Sequence, residues 1–134
     1  MNHPFGPLIH QYARARAIAD GELVDVSATA RQAGIRLPVA VTRRVWEGCI
    51  AWTPADSRYT GAVQDVEGRL WDVLWLVAQK LRRLPRKTDR VSVLLWRVSR
   101  HTRTTKPRMV ELVAVCGPGD RADPVITIQF PGED

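Results

Sequence analysis

The feature that most constrains the fold is a long apolar stretch over residues 68–84, where apolar side chains recur every three or four positions. This spacing is that of one face of an α-helix. The face is formed by Leu70, Leu74, Val77, Leu81 and Leu84. A second apolar row beside it contains Trp71, Trp75 and Ala78. Since a helix that is apolar nearly all round is buried, we predict that residues 68–84 form the central helix of one core, with the tryptophans packed inside.

The chain length and the cysteines indicate the class of protein. A length of 134 residues predicts a single domain, 1–134, that buries a core without disulfides or metal. The longest apolar run, residues 73–78, is far shorter than the ~20 residues that cross a bilayer. Cys49 and Cys116 lie in apolar stretches without metal-ligand spacing, which favours free thiols over a disulfide. We therefore expect a cytoplasmic protein with no membrane partner, no metal and no cofactor.

Three alternating segments follow the predicted helix and indicate strands, at residues 91–98, 110–116 and 126–130. The first is apolar on both faces, as in a covered central strand, and the third has one more polar face. Short links between them favour an antiparallel meander. The expected fold class is α+β, with a three-stranded antiparallel β-meander in the C-terminal half packed against the central Trp/Leu-rich helix and two to three further helices. Residues 22–27 are interpreted as a short extended piece, and residues 55–64 as a polar loop.

Positive charge is concentrated in one part of the chain. Residues 80–108 contain eleven bases and one acid, a charge of +10, whereas the remaining nine bases and thirteen acids give −4, for a total of +6. A field of one sign attracts polyanions. Arginine outnumbers lysine seventeen to three, which suits bidentate phosphate contacts but is also typical of GC-rich coding sequence.

The basic end of the central helix and the link between the first two strands are the predicted binding surface. If the meander packs on the helix, their side chains can share one edge and bind phosphates. The candidate residues are Arg82, Arg83, Arg86, Lys87, Arg100, Arg103, Lys106 and Arg108. The partner is expected to be a nucleic acid or nucleoprotein, or an acidic protein surface. A solvated charged surface kept for solubility is the alternative, and bases at a helix C-terminus also have a structural role.

Two other constellations have both a functional and a structural interpretation. Asp25, Asp65 and Asp72 would support a metal-dependent site if they converged in a pocket, although local capping and ion pairing are the simpler roles. The five tryptophans could stack on bases, but all except Trp52 lie in patterns that predict packing in the core. No catalytic residue is predicted.

Five segments give the chain a resemblance to a known family. They are residues 20–27 (DGELVDVS), 38–42 (PVAVT), 68–75 (GRLWDVLW), 116–120 (CGPGD) and 124–128 (PVITI). With them the chain resembles an uncharacterised family, a domain of unknown function, of small bacterial proteins encoded on plasmids, phages and other mobile elements. The resemblance transfers no catalytic residue. It implies a context in which small proteins inhibit host defence, including anti-CRISPR and anti-restriction inhibitors.

These observations together predict a non-enzymatic binding protein of a mobile genetic element. An anti-defence inhibitor that engages a nucleic acid or nucleoprotein through a basic surface fits the charge better than an acidic nucleic-acid mimic does. Two alternatives stay open at this point. One is a metal-dependent enzyme acting on nucleic acid or nucleotide, and the other is a self-associating structural subunit.

Overall fold

The computed structural model describes residues 6–84 and 88–133, with side chains from Ala13 onward. Within these residues the chain forms five α-helices and five β-strands. The helices are α1 (Gly6–Ala19), α2 (Ser27–Gln32), α3 (Arg43–Val45), α4 (Pro54–Thr60) and α5 (Val66–Arg82), and α3 continues into a π-helical turn, Trp46–Ile50. The strands are β1 (Leu23–Asp25), β2 (Val39–Thr42), β3 (Arg90–Arg97), β4 (Arg108–Pro118) and β5 (Pro124–Gln129). No helix among the described residues is both long enough and apolar enough to cross a membrane.

The sheet corrects the predicted architecture. Its five strands lie in the order β1-β2-β5-β4-β3, with β2 and β5 parallel and every other pair antiparallel. The described residues form four α-helices besides α5, where two to three were predicted. The α+β class is confirmed, but the three-stranded antiparallel meander is wrong. Its third strand, β5, also pairs with β2 along Val39–Val41, far earlier in the chain. The strand β1 lies within the extended piece predicted at residues 22–27. Its place in the sheet was not predicted, because β1 and β2 are short and join the sheet through the pairing of β2 with the distant β5.

Strand β3 is an edge strand and not the covered central strand that its composition predicts. It pairs with β4 alone among the described strands. Its side chains alternate strictly between exposed and buried positions. Val91, Val93 and Leu95 face the core, whereas Leu94 and Trp96 lie on the open face opposite Glu111 and Met109 of β4. The alternation is that of a strand with one covered face.

Helix α5 packs across the core side of the sheet. Asp65 caps its first turn by accepting a hydrogen bond from Gly68 N at 2.7 Å, and Lys80 and Arg82 lie in its last turn, where cations favour the helix dipole. Its inner face is buried, and each buried leucine or valine side chain contributes roughly 1.5–3 kcal/mol. That face contains Leu70, Val73, Leu74, Val77 and Ala78. The central position predicted for this helix is confirmed by these contacts with the core cluster.

The prediction that α5 is buried on all sides is wrong. Trp71 is 38% exposed and Trp75 is 45% exposed, on the side of the helix that faces away from the core. A sheet with a single helical layer on this side leaves the outer helical surface uncovered. Both cysteines are free thiols, as predicted, with Cys49 buried and Cys116 half-buried.

Candidate binding surface

The predicted basic residues do not gather at one edge. Arg82 and Arg83 are exposed at the C-terminal end of α5, where the Arg82 guanidinium lies over Gly34. Arg86 and Lys87 lie outside the described residues. The beginning of β3 adjoins this end of the helix, because Leu81 and Leu84 line a small cleft with Arg90 and Val91.

The other candidates lie at the opposite end of α5. Arg100, in the β3–β4 link, forms ion pairs with Asp56 at 2.8 Å and with Glu47 at 3.7 Å. Arg103 lies over the ring of Tyr59, 5.9 Å from its centroid. The thirteen residues from Arg69 to Arg82 correspond to roughly 20 Å of helix. One copy of the chain therefore carries two separate groups of bases, called here the two basic ends. One contains Arg82 and Arg83, and the other contains Arg100, Arg103, Lys106 and Arg108.

Several of these bases are exposed and have no carboxylate partner in the part of the chain that the structure describes. They are Arg82, Arg83, Arg103, Lys106 and Arg108. Arg100 differs from them, because its ion pairs with α4 and with the π-helical turn hold the β3–β4 link in place. The exposed bases can contact a partner without first breaking an ion pair of the fold.

Two buried arginines explain another part of the positive charge. Arg69 donates from Nε to Ile50 O at 3.1 Å and from Nη1 to Val98 O at 3.2 Å and to Gln64, and its guanidinium stacks on Trp52. Burial, followed by the nearby charge of Arg97, lowers the pKa of Arg69 to about 10. The charged guanidinium is stabilised by two backbone carbonyls, those of Ile50 at the end of the π-helical turn and of Val98 just after β3.

Arg97 completes this buried cluster. Its Nη1 donates to Cys49 O and to Arg69 O, both at 3.2 Å, and its Nη2 pairs with Asp72 at 2.9 Å. Burial raises the pKa of the neighbouring Cys49 thiol, which these two cations only partly offset. A buried, protonated thiol is unreactive. The arginine pair therefore ties the π-helical turn, α5 and β3 together.

An apolar groove of about 390 Å³ lies between α5 and the edge strand β3. Trp71 and Trp75 line it from the helix, and Leu94 and Trp96 line it from the strand, with Leu94 and Trp96 each 60% exposed. The prediction that these three tryptophans pack in the core is wrong. Trp52, which the sequence left open, is buried and donates from Nε1 to Ser57 Oγ at 2.8 Å.

The three candidate carboxylates do not converge. Asp25 lies on β1, at the other edge of the sheet, and accepts hydrogen bonds from Ser27 N and Oγ. Asp65 caps α5, and Asp72 pairs with Arg97, although both line a shallow cleft beside the helix. Among the described residues, no group of three or more His, Cys, Asp or Glu side chains could hold a metal ion.

Comparison with known proteins identifies the family. The whole chain, residues 1–134, matches a family described as a family of unknown function, DUF6573, and the protein belongs to it. No curated protein and no solved structure matches the chain.

Proposed function

We propose that this member of an uncharacterised family is a non-enzymatic binding protein that holds a nucleic acid or nucleoprotein on its exposed basic side chains. The observation that carries the proposal is the set of exposed bases without carboxylate partners described above, at the two ends of α5. Phosphate contacts by such residues release condensed counterions, which supplies affinity without sequence specificity.

The distribution of charge supports this proposal over a surface kept only for solubility. A soluble surface is served by interspersed charges of both signs, whereas residues 80–108 carry +10 and the rest of the chain carries −4. Two of the bases in that segment, Arg97 and Arg100, are used by ion pairs of the fold. The exposed bases Arg82, Arg83, Arg103, Lys106 and Arg108 supply a field that attracts a polyanion.

The biological setting is part of the same proposal. The resemblance to proteins of plasmids, phages and other mobile elements supports a role for such a binder in the bacterial cytoplasm, as an inhibitor of a nucleoprotein defence complex. A basic inhibitor would occupy a guide RNA or the nucleic acid held by the complex, since a basic surface cannot imitate DNA.

The test is fluorescence anisotropy with labelled 30-nucleotide random-sequence single-stranded DNA, single-stranded RNA and duplex DNA, each between 50 and 300 mM salt. The double variant Arg83→Glu/Lys106→Glu should weaken binding at least tenfold and reduce the salt slope by about two. The matched control, Arg16→Glu/Arg43→Glu, changes the same number of exposed charges on α1 and α3 and should stay within about threefold of the wild type. Equal losses in both variants, or no salt-sensitive binding of the wild type to any probe, would overturn the proposal.

A further inference from the structure

In the part of the chain that the structure describes, the middle of the edge strand β3 carries none of the usual features that block the addition of another strand. Its central residues, from Val91 to Trp96, include no charge, proline or glycine. Natural edge strands are usually protected by such residues, by bulges or by a covering element. Cys116 N donates to Asp89 O at 2.7 Å, so in the β3–β4 register the backbone groups of every second residue from Asp89 face β4. Those of Ser92, Leu94 and Trp96 are directed outward. The Trp96 carbonyl accepts one hydrogen bond from Arg97 Nε at 2.9 Å, and its second lone pair remains for another strand.

Apolar side chains flank this edge on both faces of the sheet. Leu94, Trp96 and Met109 are half-exposed or more on the open face, and Trp71 and Trp75 stand above the edge on α5. With about 250 Å² for a whole tryptophan, the exposed fractions of the three tryptophans amount to roughly 360 Å². A stable interface buries about 800 Å² per partner. The tryptophans alone provide nearly half of this area, before Leu94, Met109 and the backbone edge are added.

The charges at the groove favour an uncharged apolar occupant over a polyanion or an acidic peptide. Arg97 is the one base that lines the groove in the described structure, and Asp72 neutralises it at 2.9 Å. Glu111 lies exposed beside Leu94 on the open face. A phosphate or a carboxylate in this position would meet two acids and no unpaired base.

From these observations we propose that the groove is occupied by a second copy of this chain, whose β3 pairs antiparallel with the first. A two-fold axis through Leu94 places each Leu94 opposite the other, and Ser92 opposite the second copy's Trp96. This register keeps the apolar faces aligned, since paired residues in an antiparallel ladder share a face. The two α5 helices then lie side by side on the same face of one ten-stranded sheet. Trp71 and Trp75 of both copies fill the space between them.

This dimer also joins the two basic ends, a consequence that rests on the proposed function. Within one chain, the beginning of β3 lies at the Arg82–Arg83 end of α5, and its last residue, Arg97, lies at the other end, beside Arg69 O. Antiparallel pairing sets each end of one copy beside the opposite end of the other. Arg82 and Arg83 of one copy then adjoin Arg103, Lys106 and Arg108 of the second, which gives two composite basic surfaces.

Cross-linking tests the register in a Cys116→Ser background, where the remaining native thiol, Cys49, is buried. Leu94→Cys should form an intermolecular disulfide under mild oxidation, because the two Cα atoms would lie about 5.5 Å apart. Ser92→Cys is the matched control on the same edge, where the two cysteines would be four residues out of register, roughly 14 Å apart. Cross-linking of Ser92→Cys but not Leu94→Cys would overturn the register.

Light scattering on the full chain tests the dimer itself. The wild type should have twice the 15.1 kDa of one chain, and Leu94→Asp should have the mass of one. Val63→Asp, a change at a fully exposed valine outside the groove, should leave the dimer intact. A wild-type mass of 15.1 kDa up to millimolar concentration would overturn the proposal, and so would an unaffected Leu94→Asp dimer.

The anisotropy assay then separates this inference from the proposed function. If Leu94→Asp is a monomer and binds the oligonucleotides at least fivefold more weakly than Val63→Asp, the composite surfaces are supported. Unchanged affinity in the monomer overturns the composite surfaces and leaves nucleic-acid binding standing. A dimer that binds none of the oligonucleotides overturns the proposed function and leaves the dimer standing.

Discussion

Arg69→Met tests how this fold tolerates a buried cation. Methionine keeps a flexible stem of similar length but removes the guanidinium. The lost hydrogen bonds are those to Ile50 O at 3.1 Å, to Val98 O at 3.2 Å and to Gln64. Hydrogen bonds to a charged group contribute about 1.5–3 kcal/mol each, so the combined loss of these three is roughly 4.5–9 kcal/mol.

Removing the buried charge stabilises the fold and so opposes the loss of these hydrogen bonds. Burial, followed by the charge of Arg97, lowers the pKa of Arg69 from 12.5 to about 10, which corresponds to a penalty of roughly 3 kcal/mol on the charged form. The Nη2 atom of Arg69 is also buried without a hydrogen-bond partner among the described residues. The difference predicts that Arg69→Met lowers the free energy of unfolding by roughly 1.5–6 kcal/mol, and the Tm by about 3–5 °C for each kcal/mol lost.

Urea unfolding followed by circular dichroism measures this change at neutral pH. The control is Arg58→Met, an exposed position on α4, which should stay within about 0.5 kcal/mol of the wild type. If Arg69→Met is as stable as Arg58→Met, or more stable, the desolvation of the guanidinium cancels its hydrogen bonds, contrary to this prediction.

Two further predictions concern an ion pair and the core. Burial raises the pKa of the Asp56 carboxyl, but hydrogen bonds from Thr53 and Arg100 lower it more, so the folded pKa lies below 3.8. The stability that the ionised Asp56 carboxylate contributes is present above the unfolded pKa and is lost as the pH falls through the folded pKa. From about pH 5 downward, the free energy of unfolding should therefore depend less steeply on pH in Asp56→Asn than in the wild type. An unchanged slope would contradict the lowered pKa of Asp56. Leu74→Ala, at a fully buried position, should lower the free energy of unfolding by about 2–5 kcal/mol. Trp75→Ala should lower it by less than half as much when both variants are made in the monomeric Leu94→Asp background. Equal losses for the two variants in urea unfolding would place Trp75 in the core.

Local signals predicted the helices well where periodicity and capping were both used. The apolar spacing from Leu70 to Leu81 located α5, and the structure begins the helix at Val66 because Asp65 caps it. Helix α4 was missed because its residues are polar. The sequence nevertheless contains the residues that begin and end this helix. Thr53 and Asp56 exchange hydrogen bonds in a capping box at its N-terminus, and Gly61, with a φ of 87°, ends it. These features define a short helix without any apolar pattern.

The sheet and the basic surface depended on information that local patterns lack. The pairing of β2 with β5 joins Val41 to Ile128 across the length of the chain, and no spacing rule connects such positions. The grouping of Arg82 with Lys106 assumed that the β3–β4 link folds towards the end of α5. It lies instead at the beginning of that helix, where Arg100 pairs with Asp56. That topology separates bases that are close in the sequence.

The errors made about α5 and β3 have one physical origin. Both elements were predicted to be covered on all sides because both carry apolar side chains on two faces, in particular Trp71, Trp75, Leu94 and Trp96. Periodicity reports how apolar a face is and does not report what covers it. In the structure the two uncovered faces are neighbours, and together they form a single groove. The sequence therefore contains more apolar surface than one copy of the chain covers, and a second copy paired along β3 would cover it.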